Sequence, residues 1–513
     1  MIIIYHKKNK VVEVKGNNEN IFFSSTNIAK TLFELGGLFP DKLIVWCHYD
    51  LKSSLNVAEF PAIFHHNKIM ASYNPFNKSF ISNAIGYVED SPFIKINKKV
   101  NYPTWQISSY AGGIQGGILL ALKFQISTRT SFDYFLHSLA KLAMPIGLLC
   151  YSEPKILKDV LIAETKKNSD NFILFRFIKQ HYKTRWIFLL FINLFLYERK
   201  TAFLPVVFSL FYSRRKLKND FLLEEIPVQS KNKVIDSGTI DVILPTIGRK
   251  QYLYDVLKDL SRQTYLPVNV IIVEQNPTPN TVTELDYIND EVWPFAIKHI
   301  FTHQAGAVNA RNMALAEVKS EWVFLNDDDN RFEAHLLEKT IINIQNYGAK
   351  AVSTSYLQYN EIKTDLVVNQ SSIFGSGNSF ILSNLLEKVE FNKMFAFGYG
   401  EDSDFGMQLR NVGIDIIYFP KPEILHLKAP MGGFRTKPVL EWQKDFIQPK
   451  PSPTIMLYKI LHQSTEQING YKTILFLKFY KVQSIKNPFL YFFSFKKQWK
   501  QSDYWANQLK NKP

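Results

Sequence analysis

The sequence predicts an α/β fold, with a mostly parallel sheet flanked by helices over residues 236–436, a second α/β domain before it, and helical segments rich in aromatic and basic residues. Three observations lead there. First, Asp241-Val-Ile-Leu244, Val270-Ile-Ile-Val273, Ile297 to Phe301 and Trp322-Val-Phe-Leu325 are short apolar runs of strand formers bounded by polar breaks. Second, helical patterns fall between them: Leu253, Val256, Leu257 and Leu260 stand at i, i+3, i+4 and i+7, and Gly306 to Lys319 reads as another helix with Asn309, Arg311 and Asn312 near its start. Third, the strands end on polar residues, at Pro245-Thr246, at Glu274 and at Asp327-Asp-Asp329. Alternating strands and helices mean a parallel sheet, and ligands bind at the carboxyl ends of its strands. The three ends are therefore expected on one edge.

The whole-chain numbers bound the reading. At 513 residues there is room for two or three domains, and 46% hydrophobic with 21% charged residues is ordinary for a globular chain. A net charge of +15 and 41 phenylalanines are less ordinary. Excess positive charge draws a protein to anionic partners. Nucleic acid is excluded as the expected one, because the basic residues cluster beside apolar runs and form no broad stripe with a reading module. Cys47 and Cys150 are too few and too far apart for a disulfide framework or a zinc knuckle. Met1-Ile-Ile-Ile-Tyr-His-Lys-Lys8 reads as a first strand, since it lacks the pattern of a secretory signal. The expected compartment is the cytoplasm.

Residues 1–165 carry alternating short apolar runs such as Leu43-Ile-Val-Trp46 and Phe60-Pro-Ala-Ile-Phe64. Gly112-Gly-Ile-Gln-Gly-Gly117 precedes the apolar run Ile118 to Leu122. A glycine-rich turn opening a helix can hold phosphate on its amides. The spacing matches neither the dinucleotide nor the P-loop pattern, which favours a tight-packing turn. Glu89-Asp90, just before Pro92, reads as a solvated acidic turn. The domain is either a degenerate copy of the later one or a module that holds an acceptor.

Residues 170–235 change character. Trp186 to Tyr197 and Ala202 to Tyr212 are intensely apolar, yet Glu198, Arg199 and Lys200 separate them, and each is too short to span a bilayer. Arg176, Lys179, Lys183 and Arg185 precede the pair, and Arg214, Arg215, Lys216 and Lys218 follow it. Apolar runs framed by cations suit a segment lying in the headgroup region of an anionic membrane. The bland alternative is a helical hairpin packed into the protein's own core. Residues 437–513 repeat the theme in Ile474 to Tyr480 and Pro488 to Phe495, followed by Lys496, Lys497 and Lys500.

Chemistry concentrates at Glu321-Trp-Val-Phe-Leu-Asn-Asp-Asp-Asp-Asn330. Three adjacent carboxylates at the end of a buried strand repel one another, and a hard divalent cation such as Mg²⁺ or Mn²⁺ gives a reason to place them there. The alternative is a polar strand-to-helix turn with an aspartate cap.

Taken in this order, the motifs resemble the nucleotide-sugar-dependent glycosyltransferases of the family 2 type, with the GT-A fold, over roughly Ile240 to Arg435. The resemblance implies that Pro245, Thr246 and Arg249 contact the nucleotide, that Glu274 approaches its base or ribose, and that Ala310-Arg311-Asn312 is the family's Ala-Arg-Asn signature, with Arg311 and Asn312 at the donor. It places the Asp-X-Asp motif in Asn326-Asp-Asp-Asp329. In one register Asn326 replaces the first acid and Asp328 is the metal ligand. In the other the pair is Asp327 and Asp329, and Asp327 also reaches the donor.

Gly400-Glu-Asp-Ser-Asp-Phe405 resembles the family's Glu-Asp motif, which makes Asp402 the preferred base, with Glu401 and Asp404 positioning the acceptor. A sugar hydroxyl is a poor nucleophile that needs such a base, and a metal neutralises charge on the departing diphosphate. An acidic helix N-terminus favoured by the macrodipole is the alternative reading. By the same resemblance His426 is a further metal ligand, or else a packed histidine. Gly377, in Phe374-Gly-Ser-Gly-Asn378, lies at the sugar and acceptor pocket. Gly432-Gly-Phe-Arg435 beside Lys428 reads as a mobile cationic loop or as an ordinary glycine turn.

The expectation is an inverting glycosyltransferase using Mg²⁺ or Mn²⁺. It moves a sugar from a nucleoside diphosphate to a glycan or lipid-linked acceptor in surface polysaccharide synthesis, peripherally at the inner face of the membrane. The alternative is a non-catalytic relative that scaffolds a polysaccharide assembly complex, for which Asn326 is the best argument.

Overall fold

The computed structural model describes residues 1–17, 19–76, 79–158, 170–430 and 439–511. The chain forms two compact units, one of residues 1–232 with 464–478, the other of residues 233–463 with 479–513. Residues 170–232 therefore belong to the first unit, and the expected C-terminal tail is divided between the two. The physical reason for the first point is burial: Leu174, Phe175, Ile187, Leu190, Leu194 and Leu223 are fully enclosed in the same hydrophobic cluster as the first unit's strands.

In the second unit the sheet runs Ala296–Thr302, Asn269–Gln275, Ile240–Thr246, Trp322–Asn326, Asn378–Leu382, Ala351–Gln358, Ile417–His426 and Asn330–Phe332. The first four strands are mutually parallel, as the alternation of strands and helices requires. The other half is mixed. Asn378–Leu382 is antiparallel to both neighbours, Ile417–His426 is parallel to Ala351–Gln358, and Asn330–Phe332 closes the edge antiparallel. Below the sheet Ile243, Val273, Val308, Leu325, Phe374 and Phe405 form one core, and on the opposite face Phe324 stacks on Phe380 with ring centroids 4.2 Å apart.

The first unit's sheet runs Glu19–Asn20, Lys10–Gly16, Ile2–Lys7, Leu43–His48, Ala111–Gln115, Ile69–Tyr73, Leu149–Ser152 and Tyr102–Pro103. From the third position onward this is the plan of the second unit. Ile2–Lys7 is parallel to Leu43–His48, Ala111–Gln115 is antiparallel to both neighbours, Ile69–Tyr73 is parallel to Leu149–Ser152, and a short antiparallel strand closes the edge. The five strands at positions three to seven also follow one another in the chain in the same order as their counterparts. The difference lies at the start. Ile2–Lys7 turns through Lys8 and Asn9, both at positive φ, straight into an antiparallel hairpin. In the second unit the helix Lys250–Ser261 carries the chain across to a parallel neighbour.

Two local readings are decided here. A side chain at Gly112 would run into Trp46 and the Ala71 carbonyl, and one at Gly116 into the Phe39 carbonyl, so the glycine-rich stretch is a packing device. Glu89 is not solvated: it is buried, accepts from Trp105 Nε1 at 3.0 Å and Ser91 Oγ at 2.6 Å, and pairs with Lys141 at 2.6 Å. Among the described residues no helix is long and apolar enough to cross a membrane.

Candidate functional site

Strand Trp322–Asn326 is fully buried, and its three-residue connection to Asn330–Phe332 brings Asp327, Asp328 and Asp329 to the carboxyl edge of the parallel half. The neighbouring strand Ile240–Thr246 ends beside them, and Arg249 caps the helix that follows. Asp328 accepts from Thr246 Oγ1 at 2.7 Å and from Arg249 Nη1 at 2.5 Å. Arg249 also stands 3.2 Å from Asp329, which accepts the Ala429 N–H at 2.9 Å and lies 3.5 Å from His426 Nε2. These surroundings separate two adjacent acids. Burial pushes Asp328 up to about 6 despite Arg249. Burial also acts on Asp329, but His426, the Ala429 amide and Arg249 together hold it below the usual carboxylate range.

Asp327 faces another way. It pairs with Arg311 at 3.0 Å and accepts from the Tyr356 hydroxyl at 3.1 Å, while Tyr356 stacks on His426 with ring centroids 4.7 Å apart. Arg311, buried in the helix Ala307–Leu315, also feels Glu401 and Asp402. Its burial weakens the charged form, but those three acids outweigh that and raise its pKa. Glu401 and Asp402 open the helix Glu401–Asn411. Burial, then the neighbouring Asp402, raises Glu401 above the ordinary value. Burial likewise raises Asp402, against the pull of Arg311 and the hydrogen bonds to Ser376, and its Oδ1 has no hydrogen-bond partner.

A cleft of about 480 Å³ lies among these groups, lined by all of the acids except Asp402, whose Oδ1 is buried behind the wall. Its walls include Pro245, Thr246, Arg249, Arg311, Asp327, Asp328, Asp329, Glu401 and His426. Lys428, expected beside a cationic loop, also lines it, whereas sequence reasoning gave no role at the site to Gln275, Gly306, Phe395, Phe397 or Tyr399, which line it too. The Gly306 N–H donates to Gln275 Oε1 at 2.7 Å, and at φ 136° with the Phe397 ring against it this position suits glycine. Phe397 and Lys428 are themselves held at positive φ, a conformation that clusters at ligand-binding edges. Positive φ has no marker in the sequence at a phenylalanine or a lysine. Gly432 to Arg435 lies outside the described residues.

Four expected site residues do other work. Glu274 is buried and accepts from Thr283 Oγ1 at 2.5 Å, the Glu284 N–H at 3.0 Å and His299 Nε2 at 2.9 Å, so it ties two strands and a loop and does not line the cleft. Asn312 clasps the backbone of Phe391, donating to its carbonyl at 2.7 Å and accepting its N–H at 3.0 Å. Asp404 is buried against His462 Nε2 at 2.6 Å and Gln408 Nε2 at 2.8 Å, and fastens its helix to the helix Pro453–His462. Residues two apart on a helix face nearly opposite ways, so Asp402 and Asp404 cannot share a site. Gly377 also lies off the cleft wall: a side chain there would strike the Asp327 carboxylate, and its carbonyl accepts from Asn330 Nδ2 at 2.7 Å.

For the divalent cation that the resemblance implies, the donor chemistry fits. Carboxylate oxygens and an imidazole line one wall, with Asp329 and His426 adjacent and Asp328 beside them. As packed, Arg249 supplies the positive charge among them, and among the described residues no three such groups stand together as a ready ligand set. Asn326 is no part of this wall: it is fully buried and accepts from Asn330 Nδ2 at 2.6 Å.

Residues 241–400 match the model of the family described as glycosyl transferase family 2. Glycosyltransferase GlyG of Streptococcus pneumoniae serotype 4 is 25% identical over 125 residues, covering 24% of this chain and 41% of the relative. YwdF of Bacillus subtilis strain 168, an uncharacterized glycosyltransferase, is 30% identical over 106 residues, 21% of this chain and 38% of the relative. The chain thus spans about two fifths of the length of these curated relatives. S. aureus TarS 1–349 in complex with UDP-GlcNAc is similar at 17% identity over 49% of this chain and 75% of that one, with a TM-score of 0.33.

Proposed function

We propose, from the match of residues 241–400 to the glycosyl transferase family 2 model, that the protein transfers a sugar from a nucleoside diphosphate to a hydroxyl of a glycan or lipid-linked acceptor, with inversion at the anomeric carbon. The observation that supports this reading is that Arg311, Asp327 and Glu401 line one cleft, with Asp402 interacting with Arg311 just behind that wall. Asp402 is the base. Its unpartnered Oδ1 is free to accept a proton, and burial brings its affinity for protons closer to neutrality than an exposed aspartate's.

The acceptor oxygen attacks the anomeric carbon and the bond to the diphosphate breaks in one displacement. The acceptor proton goes to Asp402 and the negative charge to the leaving diphosphate. Arg249 and Lys428, on the cleft wall, meet that charge, and the backbone N–H groups of the helix starting at Ala307 point toward the same space. Asp328, Asp329 and His426 would be the residues to hold a divalent cation, which would add positive charge beside the departing diphosphate. Burial of Asn326 away from the cleft supports the catalytic reading over the non-catalytic scaffold.

The test uses the purified full chain, a panel of nucleoside diphosphate sugars and Mn²⁺, scored for diphosphate release with and without acceptor glycans. Asp402→Asn should keep the fold and donor binding while lowering turnover roughly 10²–10⁴-fold. Full turnover in a normally folded Asp402→Asn protein would exclude this base.

A further inference from the structure

The first unit carries a surface that the proposed reaction does not use. Helix Arg185–Glu198 is apolar almost all round, yet only one side of it is enclosed. Ile187, Leu190 and Leu194 are buried in the unit's core, whereas Phe188, Ile192 and Phe195 are 50%, 38% and 49% exposed. Those three stand at i, i+4 and i+7, so they form a single outward stripe. Helix Phe203–Leu210 repeats the pattern, with Val206 and Ser209 inward and Leu204, Phe208 and Phe211 outward at 59%, 56% and 83% exposure. Phe172 lies beside Phe208, with ring centroids 5.8 Å apart, and is itself 45% exposed. A helix apolar on every side is normally enclosed, and contiguous exposed aromatic surface marks an interaction site.

Charge identifies the partner. Between Arg176 and Lys218 the chain has ten lysines and arginines against one acid, Glu198, which is already paired with Lys200 at 2.7 Å. Lys183 and Arg185 stand exposed before the stripes, and Arg214, Lys216 and Lys218 stand exposed after them. Aromatic and aliphatic side chains framed by exposed cations complement a layer whose surface is anionic and whose interior is hydrocarbon. A second protein copy would bring the same excess of positive charge to the contact.

We propose that this face docks the protein on an anionic lipid bilayer, with Phe188, Phe195, Phe208 and Phe211 entering the headgroup boundary and the flanking cations meeting lipid phosphates. The inward half of both helices stays in the protein core, so docking requires no unfolding.

Sedimentation of the full-length protein with vesicles tests this. Wild type should pellet with vesicles of phosphatidylglycerol and phosphatidylcholine, remain in solution with phosphatidylcholine alone, and lose binding as salt approaches about 1 M, where the Debye length is ~3 Å. Arg214→Glu with Lys216→Glu, and separately Phe195→Ser with Phe208→Ser, should each weaken binding by about tenfold or more. Unchanged unfolding midpoints and unchanged diphosphate release in solution establish that these variants are folded. Failure of wild type to pellet overturns the proposal, as does pelleting of both variants like wild type. A concentration-dependent dimer that Phe195→Ser with Phe208→Ser disrupts, without any vesicle binding, assigns the face to a second copy and overturns it too.

Discussion

The Arg311 guanidinium lies 3.0 Å from the Asp327 carboxylate and is the cation that Glu401 and Asp402 share. One side chain of the Ala307–Leu315 helix thus links the strand-end acids to the acids of a helix about 90 residues further on. Removing it strands a buried charge cluster. Arg311→Ala is expected to cost about 3–5 kcal/mol, the usual penalty for deleting one partner of a buried ion pair. Arg311→Lys should recover part of that, because an ammonium restores charge without the planar fork. Urea unfolding at neutral pH measures both, and an unaltered midpoint in Arg311→Ala would show that the acids do not depend on it.

The split between Asp327 and its two neighbours predicts which acids answer to metal. Mn²⁺ with a nucleoside diphosphate should raise the unfolding temperature of the wild type, by the equivalent of ~2.7 kcal/mol at a hundredfold excess over the dissociation constant. Asp329→Asn and His426→Ala should remove the Mn²⁺-dependent part, while Asp327→Asn, which loses a bond to Arg311, should keep it. Loss of the Mn²⁺-dependent part in Asp327→Asn as well as in Asp329→Asn would select the register in which those two acids are the pair.

Both sheets share their central plan, but only the second unit has a helical crossover between its first two strands and acids at the adjoining strand end. Calorimetric titration of the intact chain with a nucleoside diphosphate should therefore give one site per molecule. Two sites would mean that the first unit has kept a nucleotide pocket despite its hairpin start.

Acid should loosen the first unit before it approaches the ordinary carboxylate range. His6 is buried beside His48 and Asp133, and burial lowers it from 6.5 to about 4. His181 is lowered to about 3 by burial and by Arg215, Lys141 and His137. Each folded value lies below the unfolded one, so below about pH 6.5 the unfolded chain binds protons that the folded chain refuses. Stability is whole above that pH and falls with slope as pH drops toward 4. Glu89 acts in the same direction lower down. Burial works against its charge, but Lys141 and three hydrogen bonds prevail and hold it at about 2, so its contribution is lost between about 4.5 and 2. Pulse proteolysis from pH 7 to 4, scored on peptides from residues 1–158, should show this loss; a flat profile across pH 6.5 to 5 would rule out the histidine contribution.

Much of the second unit could be read along the chain, because what defines it is local. Apolar runs of four or five residues, the i, i+3, i+4 spacing from Leu253 to Leu260, and acids placed where a strand stops are properties of neighbouring residues. Thr246, Arg249, Arg311, Asp327 and Glu401, which the family resemblance singled out, line one cleft. Asp404 and Asp402 looked alike in the chain, although a two-residue step on a helix already sends them to opposite sides. Glu274 and Asn312 matched a motif by type and position, and only their neighbours show that both are fully occupied with holding backbone and loops.

The sequence by itself determined the alternating strands and helices, the acidic strand end, and the apolar segments framed by cations. Tertiary structure alone decided which acids meet which cations, that Tyr356 lies against Asp327 and His426, and which side of the Arg185–Glu198 helix remains uncovered. The reason is that periodicity records how a residue is turned about its own strand or helix. Sheet order, with 356 beside 426 and 246 beside 328, is set by how whole elements pack, and no single stretch of chain carries it.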